Sequence, residues 1–218
     1  MLAKRKSLAA AVSVAAALFA GSSWAGPGDI YQSSFQGLTF TFTQTDANSL
    51  TFELAGTPSG DWSTANFLGA FDLKDLGLDF GTATAIANGP GATNLAGLNN
   101  QLSANAVQCN SASSPPPSIC FNLNPDVALG SLPFDFTYTI DFSANLAIAN
   151  TGSAAGPHLQ IAFTETDGGA KVGSLYSQNV PLCADCGGGG GTFVPEPGSL
   201  ALLGLAFLGV GAVVRRRS

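Results

Sequence analysis

Residues 134–142 read Phe-Asp-Phe-Thr-Tyr-Thr-Ile-Asp-Phe. Phe134, Phe136, Tyr138, Ile140 and Phe142 alternate with Asp135, Thr137, Thr139 and Asp141. Side chains switch sides at every residue of a strand, so this order buries one face only if the segment is extended within a sheet. Leu38, Phe40 and Phe42 alternate in the same way with Thr39, Thr41 and Thr43, and Leu50, Phe52 and Leu54 with Thr51 and Glu53. The turn-forming Asp46-Ala47-Asn48-Ser49 between them predicts a hairpin with one buried face. Leu159, Ile161 and Phe163 repeat the pattern up to Asp167-Gly168-Gly169, with 171–180 as the partner strand, and 67–73 is a less regular candidate. No segment between the two ends keeps a helical period. The predicted fold is all-β, an antiparallel β-sandwich of jelly-roll type. Residues 81–130 fit it least: they are rich in Asn, Ala, Gly and Pro, and they read as a long excursion with short strands near 102–108 and 119–123.

The two ends of the chain follow other rules. Lys4, Arg5 and Lys6 precede an uncharged Ala-rich run from Leu8 to Ala20, and Ser23-Trp24-Ala25 places small residues where a signal peptidase needs them. This predicts a cleavable signal helix over 1–25, cut between Ala25 and Gly26. At the other end Val194-Pro195-Glu196-Pro197 leads into an uncharged apolar run over 199–214, closed by Arg215, Arg216 and Arg217. As a helix the run reaches roughly 24 Å, short of the ~30 Å hydrocarbon core, and a snorkelling Arg215 or local thinning makes up the difference. The arginines are expected on the cytoplasmic side, with the rest of the chain across the membrane. The glycines at 187–191 form a flexible linker, 187–193, after a secreted domain spanning 26–186.

Val194-Pro195-Glu196-Pro197, the apolar segment and the terminal arginines together resemble the PEP-CTERM sorting signal, a short motif also catalogued as an ice-binding protein C-terminal domain. The resemblance implies a Gram-negative precursor, processed at the Pro-Glu-Pro region by an integral-membrane exosortase. It implies delivery of the mature protein to the cell surface or the exopolysaccharide matrix. It covers only the tail and assigns no family to the central domain.

With both signals set aside, residues 26–194 keep two lysines, Lys74 and Lys171, against thirteen acids, a net charge of −11. Such a surface disfavours nucleic acid and anionic membranes. The four cysteines, Cys109, Cys120, Cys183 and Cys186, are expected as disulfides in an exported chain. Three connectivities are open, and the local pairs Cys109–Cys120 and Cys183–Cys186 demand least of the fold. The Cys183-Ala184-Asp185-Cys186 spacing lacks the basic, helix-opening context of a redox site, and Gly187 stands where haem attachment needs histidine.

Candidates for chemistry are few. His158, the only histidine, follows Gly156-Pro157, and no serine lies in a nucleophile-elbow motif. Asp72, Asp75 and Asp79 form the one acidic cluster, a calcium candidate or, less favoured, a glycosidase pair. The Thr39, Thr41, Thr43 array invites an ice-binding reading, although threonine is favoured on any exposed strand face. Trp62, after Pro58-Ser59-Gly60-Asp61, is a candidate for stacking on a sugar or for plugging one end of the sandwich. The reading favoured is an exported, non-enzymatic surface or matrix protein. A carbohydrate-binding module for exopolysaccharide, with or without calcium, is the runner-up, and ice binding and glycan hydrolysis come behind.

Overall fold

The structure is a computed structural model that describes residues 25–103, 107–111, 118–150 and 155–186. The signal segment before Ala25, the linker 187–193 and the sorting segment 194–218, with its expected transmembrane helix over 199–214, lie outside the described residues. Among the described residues no helix is long and apolar enough to cross a membrane. Contacts divide the chain into two units, Met1–Cys183 and Ala184–Ser218, and the strands described below all belong to the first.

The alternating segments form the expected strands. In chain order these are β1 (Ile30–Phe35), β2 (Leu38–Asp46), β3 (Ser49–Gly56), β4 (Phe67–Lys74), β5 (Ala85–Gly89), β6 (Ala92–Ala96), β7 (Gln101–Leu102), β8 (Cys109–Ser111), β9 (Ile119–Ala128), β10 (Phe134–Phe142), β11 (His158–Thr164) and β12 (Lys171–Asn179). One sheet runs β1-β2-β3-β10-β5-β6, a second β12-β11-β4-β9, and β7 pairs with β8. Every pairing is antiparallel.

The core follows from the period-2 pattern. Leu38, Phe40 and Phe42 of β2, Leu50, Phe52 and Leu54 of β3, and Tyr138 and Ile140 of β10 are buried and pack in one cluster with Phe71, Phe121, Leu159, Ile161 and Phe163 of the second sheet. The Phe42 and Phe52 rings stack at 4.6 Å and the Phe71 and Phe121 rings at 4.9 Å. Asp135, Thr137, Thr139 and Asp141 are exposed, as the alternation requires.

The second sheet departs from simple alternation. In β4 and β11 both faces are buried. The cover is the excursion expected at 81–130, which is more structured than its composition suggests. It opens with the β5–β6 hairpin. Its continuation then crosses to the second sheet, where Leu98 and Cys120 exchange backbone hydrogen bonds of 2.8 and 2.9 Å. Leu102, Cys109 and Val107 pack on Ala70, Cys120 and Ala162 from the outside. Gly97 lets this strap approach: a Cβ there would collide with Ile119 and sit 3.1 Å from the Phe121 ring. On the other side the chain after β12 reaches β1, with Gln32 N–H on the Pro181 carbonyl at 3.0 Å and Cys183 N–H on that of Ile30 at 2.8 Å. Both lateral seams of the sandwich therefore carry pairing between the sheets, which protects strand edges from other chains.

Candidate functional site

Each residue marked by the sequence has a definite place, and several are not where their proposed chemistry needs them. Trp62 ends a short 3-10 turn, Gly60–Trp62, and is fully buried. Its ring lies 4.9 Å from that of Phe163 and 5.2 Å from that of Phe35, and its indole N–H donates to the Ser174 carbonyl at 2.9 Å. No face is free to stack on a sugar, so the ligand-binding candidacy of Trp62 is withdrawn; it plugs the sandwich.

Asp72, Asp75 and Asp79 do not converge. Asp79 lies in an exposed turn and accepts from Gly81 N–H at 3.0 Å. Asp75 follows β4 in a left-handed conformation, φ 57°, and is 44% exposed. Asp72, in mid-β4, is fully buried beneath the strap. Among the described residues no three His, Cys, Asp or Glu side chains group to hold a metal. The calcium and glycosidase readings of these acids needed a shared site.

Asp72 is the one buried carboxylate among the described residues. Its Oδ2 accepts from Leu102 N–H at 2.7 Å and from the Ser118 hydroxyl at 2.9 Å, so one carboxylate fastens both ends of the strap to β4. Register sets Asp72 directly opposite Gln160 on β11 and Cys120 on β9. Asp72 Oδ1 and Gln160 Oε1 are both buried without a partner. Burial pushes the Asp72 carboxyl up from its ordinary 3.8 to about 6, against the lowering pull of Leu102, Ser118 and Lys74. Burial is what favours the neutral acid here.

Beside it, His158 heads β11 and is held by both ring nitrogens. Nδ1 lies 3.0 Å from Asn179 Oδ1 and 4.0 Å from Asp75 Oδ2, and Nε2 lies 3.0 Å from Ser177 Oγ. Gln160 Nε2 donates to the same Ser177 oxygen at 2.9 Å, and Asn179 Nδ2 donates to Asp75 at 3.3 Å. Register sets His158 opposite Asn179 and Gln160 opposite Ser177, so the chain Gln160-Ser177-His158-Asn179-Asp75 is a cross-strand ladder. Sequence reasoning noted His158 only as the lone histidine after Gly156-Pro157 and missed this ladder, because its members are joined only by register.

Cys109 and Cys120 are joined in a disulfide, and Cys183 and Cys186 are also disulfide-bonded. Thr39, Thr41 and Thr43 lie on the outer face of the six-stranded sheet. Thr43 stands beside Thr51 and Thr51 beside Thr139, but the neighbouring row passes from Thr41 through Glu53 to Thr137. A carboxylate thus interrupts the threonine array. Ala25 and Gly26, the expected cleavage pair, open the described chain: Ala25 N–H donates to the Ile148 carbonyl at 3.0 Å and Gly26 N–H to Asp29 Oδ2 at 3.0 Å.

Comparison with known proteins decides one end of the chain. Residues 193–217 match the PEP-CTERM protein-sorting motif. That segment is a sorting signal, and the chain carrying it is directed to export. No curated protein matches the chain, and no solved structure matches it. The domain between the two ends stands without an assigned family.

Proposed function

We propose that this chain is the precursor of an exported protein of the cell surface or extracellular matrix. Signal peptidase removes residues 1–25. The apolar run 199–214 then holds the precursor in the membrane, with Arg215, Arg216 and Arg217 on the cytoplasmic side. An exosortase-type enzyme acts at Val194-Pro195-Glu196-Pro197, and the acidic domain 26–186 is delivered on its glycine linker. The domain works there without catalysis, as a structural or binding element of the exopolysaccharide surroundings. The observation that carries this reading is the match of residues 193–217 to the sorting motif. The architecture suits it: disulfides persist outside the cytoplasm, paired seams resist edge-to-edge aggregation, and the acidic surface favours solubility.

The test is expression in an exosortase-bearing Gram-negative host and in the same host lacking the exosortase. The expected result is surface or matrix material in the first and membrane-bound precursor in the second. Deleting 194–218 should abolish the difference. The same distribution in both hosts for the full chain refutes the proposal.

A further inference from the structure

We propose that removal of the leader creates a latch: the α-ammonium left on Gly26 closes on the Asp29 carboxylate and fastens the start of β1 to the 148–150 segment. This rests on the proposed cleavage after Ala25.

The site is built before the cut. In the uncleaved chain Gly26 N is a neutral peptide nitrogen, and its N–H already donates to Asp29 Oδ2 at 3.0 Å. The same oxygen accepts from Asn150 Nδ2 at 3.2 Å, and Asn150 Oδ1 accepts from the hydroxyl of Tyr31 at 2.7 Å. Tyr31 is fully buried. The backbone around the carboxylate is pinned independently of Ala25: Asp29 N–H reaches the Gly26 carbonyl at 3.1 Å, Gly28 N–H that of Gln44 at 2.7 Å, and Gln44 N–H that of Asp29 at 3.0 Å.

What Asp29 lacks is a cation. The only lysines of residues 26–194 are Lys74 and Lys171, and among the described residues the one contact of ion-pair type is the 4.0 Å approach of His158 Nδ1 to Asp75 Oδ2. Hydrolysis supplies a cation. The Ala25–Gly26 C–N bond breaks, the hydroxyl of water goes to the Ala25 carbonyl carbon and its hydrogen to Gly26 N, and the amine takes up a further proton at neutral pH. A neutral N–H on a carboxylate becomes an ammonium on a carboxylate, roughly twice as strong a hydrogen bond. The titratable side chains facing it are Asp29 itself and Tyr31, whose hydroxyl burial and the Asp29 charge keep protonated far into alkaline pH. Cleavage also takes away the Ala25 N–H that donates to the Ile148 carbonyl, and the ammonium–carboxylate pair is what holds the new terminus in its place.

The experiment takes the exported protein, confirms its first residue by mass spectrometry, and acetylates the amine, which restores the neutral N–H of the precursor. Wild type and Asp29→Asn are compared before and after. The Asp29→Asn pair cancels any effect of acetylating Lys74 and Lys171. At about pH 6, acetylation should lower the wild-type Tm by about 2–4 °C more than that of Asp29→Asn, the shift worth about 1 kcal/mol in a domain of this size. In wild type alone, the gap between free and acetylated forms should close near about pH 10, above the α-amino range. Equal shifts in both proteins, or none in wild type, overturn the latch and leave export standing. A first residue other than Gly26 overturns the cleavage site and the latch together.

Discussion

Replacing Asp72 by Asn should stabilise this domain at neutral pH, an unusual outcome for a fully buried, hydrogen-bonded acid. An Asn Oδ1 can accept from Leu102 N–H and Ser118 as Asp72 Oδ2 does, and the uncharged amide avoids burying an ionised carboxylate. The magnitude comes from the carboxyl's rise from 3.8 to about 6. About two units at 1.36 kcal/mol each make about 3 kcal/mol. The sign is opposite to that of a salt-bridged acid. Here the native state holds the proton more tightly than the unfolded chain, so stability is highest below about pH 4, falls as pH rises toward about 6, and stays lower above that. Urea unfolding of wild type and Asp72→Asn across about pH 3.5 to 8 reads the effect. The difference between the two should be near zero at the acid end and approach about 3 kcal/mol in favour of Asn above about pH 7. Titration of the other carboxylates cancels in that difference. A difference that does not vary with pH, or an Asn variant less stable than wild type at about pH 8, refutes the reasoning.

Other perturbations probe separate parts of the account. Trp62→Ala removes a fully buried indole from between Phe35 and Phe163 and should cost about 3–5 kcal/mol in denaturant unfolding; a near-neutral change would mean that the ring is not packed. Gly173→Ala should destabilise by about 1–3 kcal/mol, because φ is +61° and the new Cβ would lie 2.6 Å from the Asp61 carbonyl oxygen and 2.9 Å from Trp62 Cδ1; an unchanged unfolding midpoint counts against that geometry. Cys109→Ser with Cys120→Ser opens a link across a sequence separation of 11 and should cost on the order of 3 kcal/mol. Limited proteolysis of that double variant should cut first within the strap, and cutting elsewhere first would deny the strap its dependence on the disulfide.

Legibility followed the size of the inward residue. Where Phe, Leu or Tyr alternated with Thr or Asp, as in β2, β3 and β10, strand and buried face were both readable. The β5–β6 hairpin escaped because its polarity is inverted: Ala85 and Ala87 point inward while Ile86 is 44% exposed. β1 escaped because only Tyr31 of its six residues is buried. The double burial of β4 and β11 depends on the strap, whose Asn- and Pro-rich sequence signals a loop. Asp72 was singled out, but for metal binding. Its true partners, Leu102 and Ser118, come from remote segments that only the fold unites. The Pro-Glu-Pro tail was readable because it is a linear signal, recognised without a fold.

The central claim is that both ends of this chain are delivery signals removed around an intact, disulfide-closed domain. The most direct test is the intact mass of the protein recovered from the cell surface or matrix. A single species that begins at Gly26, ends within or before the Val194–Pro197 region, and is lighter by four hydrogens than its fully reduced form is the predicted result. A surface species that still ends at Ser218 would contradict it.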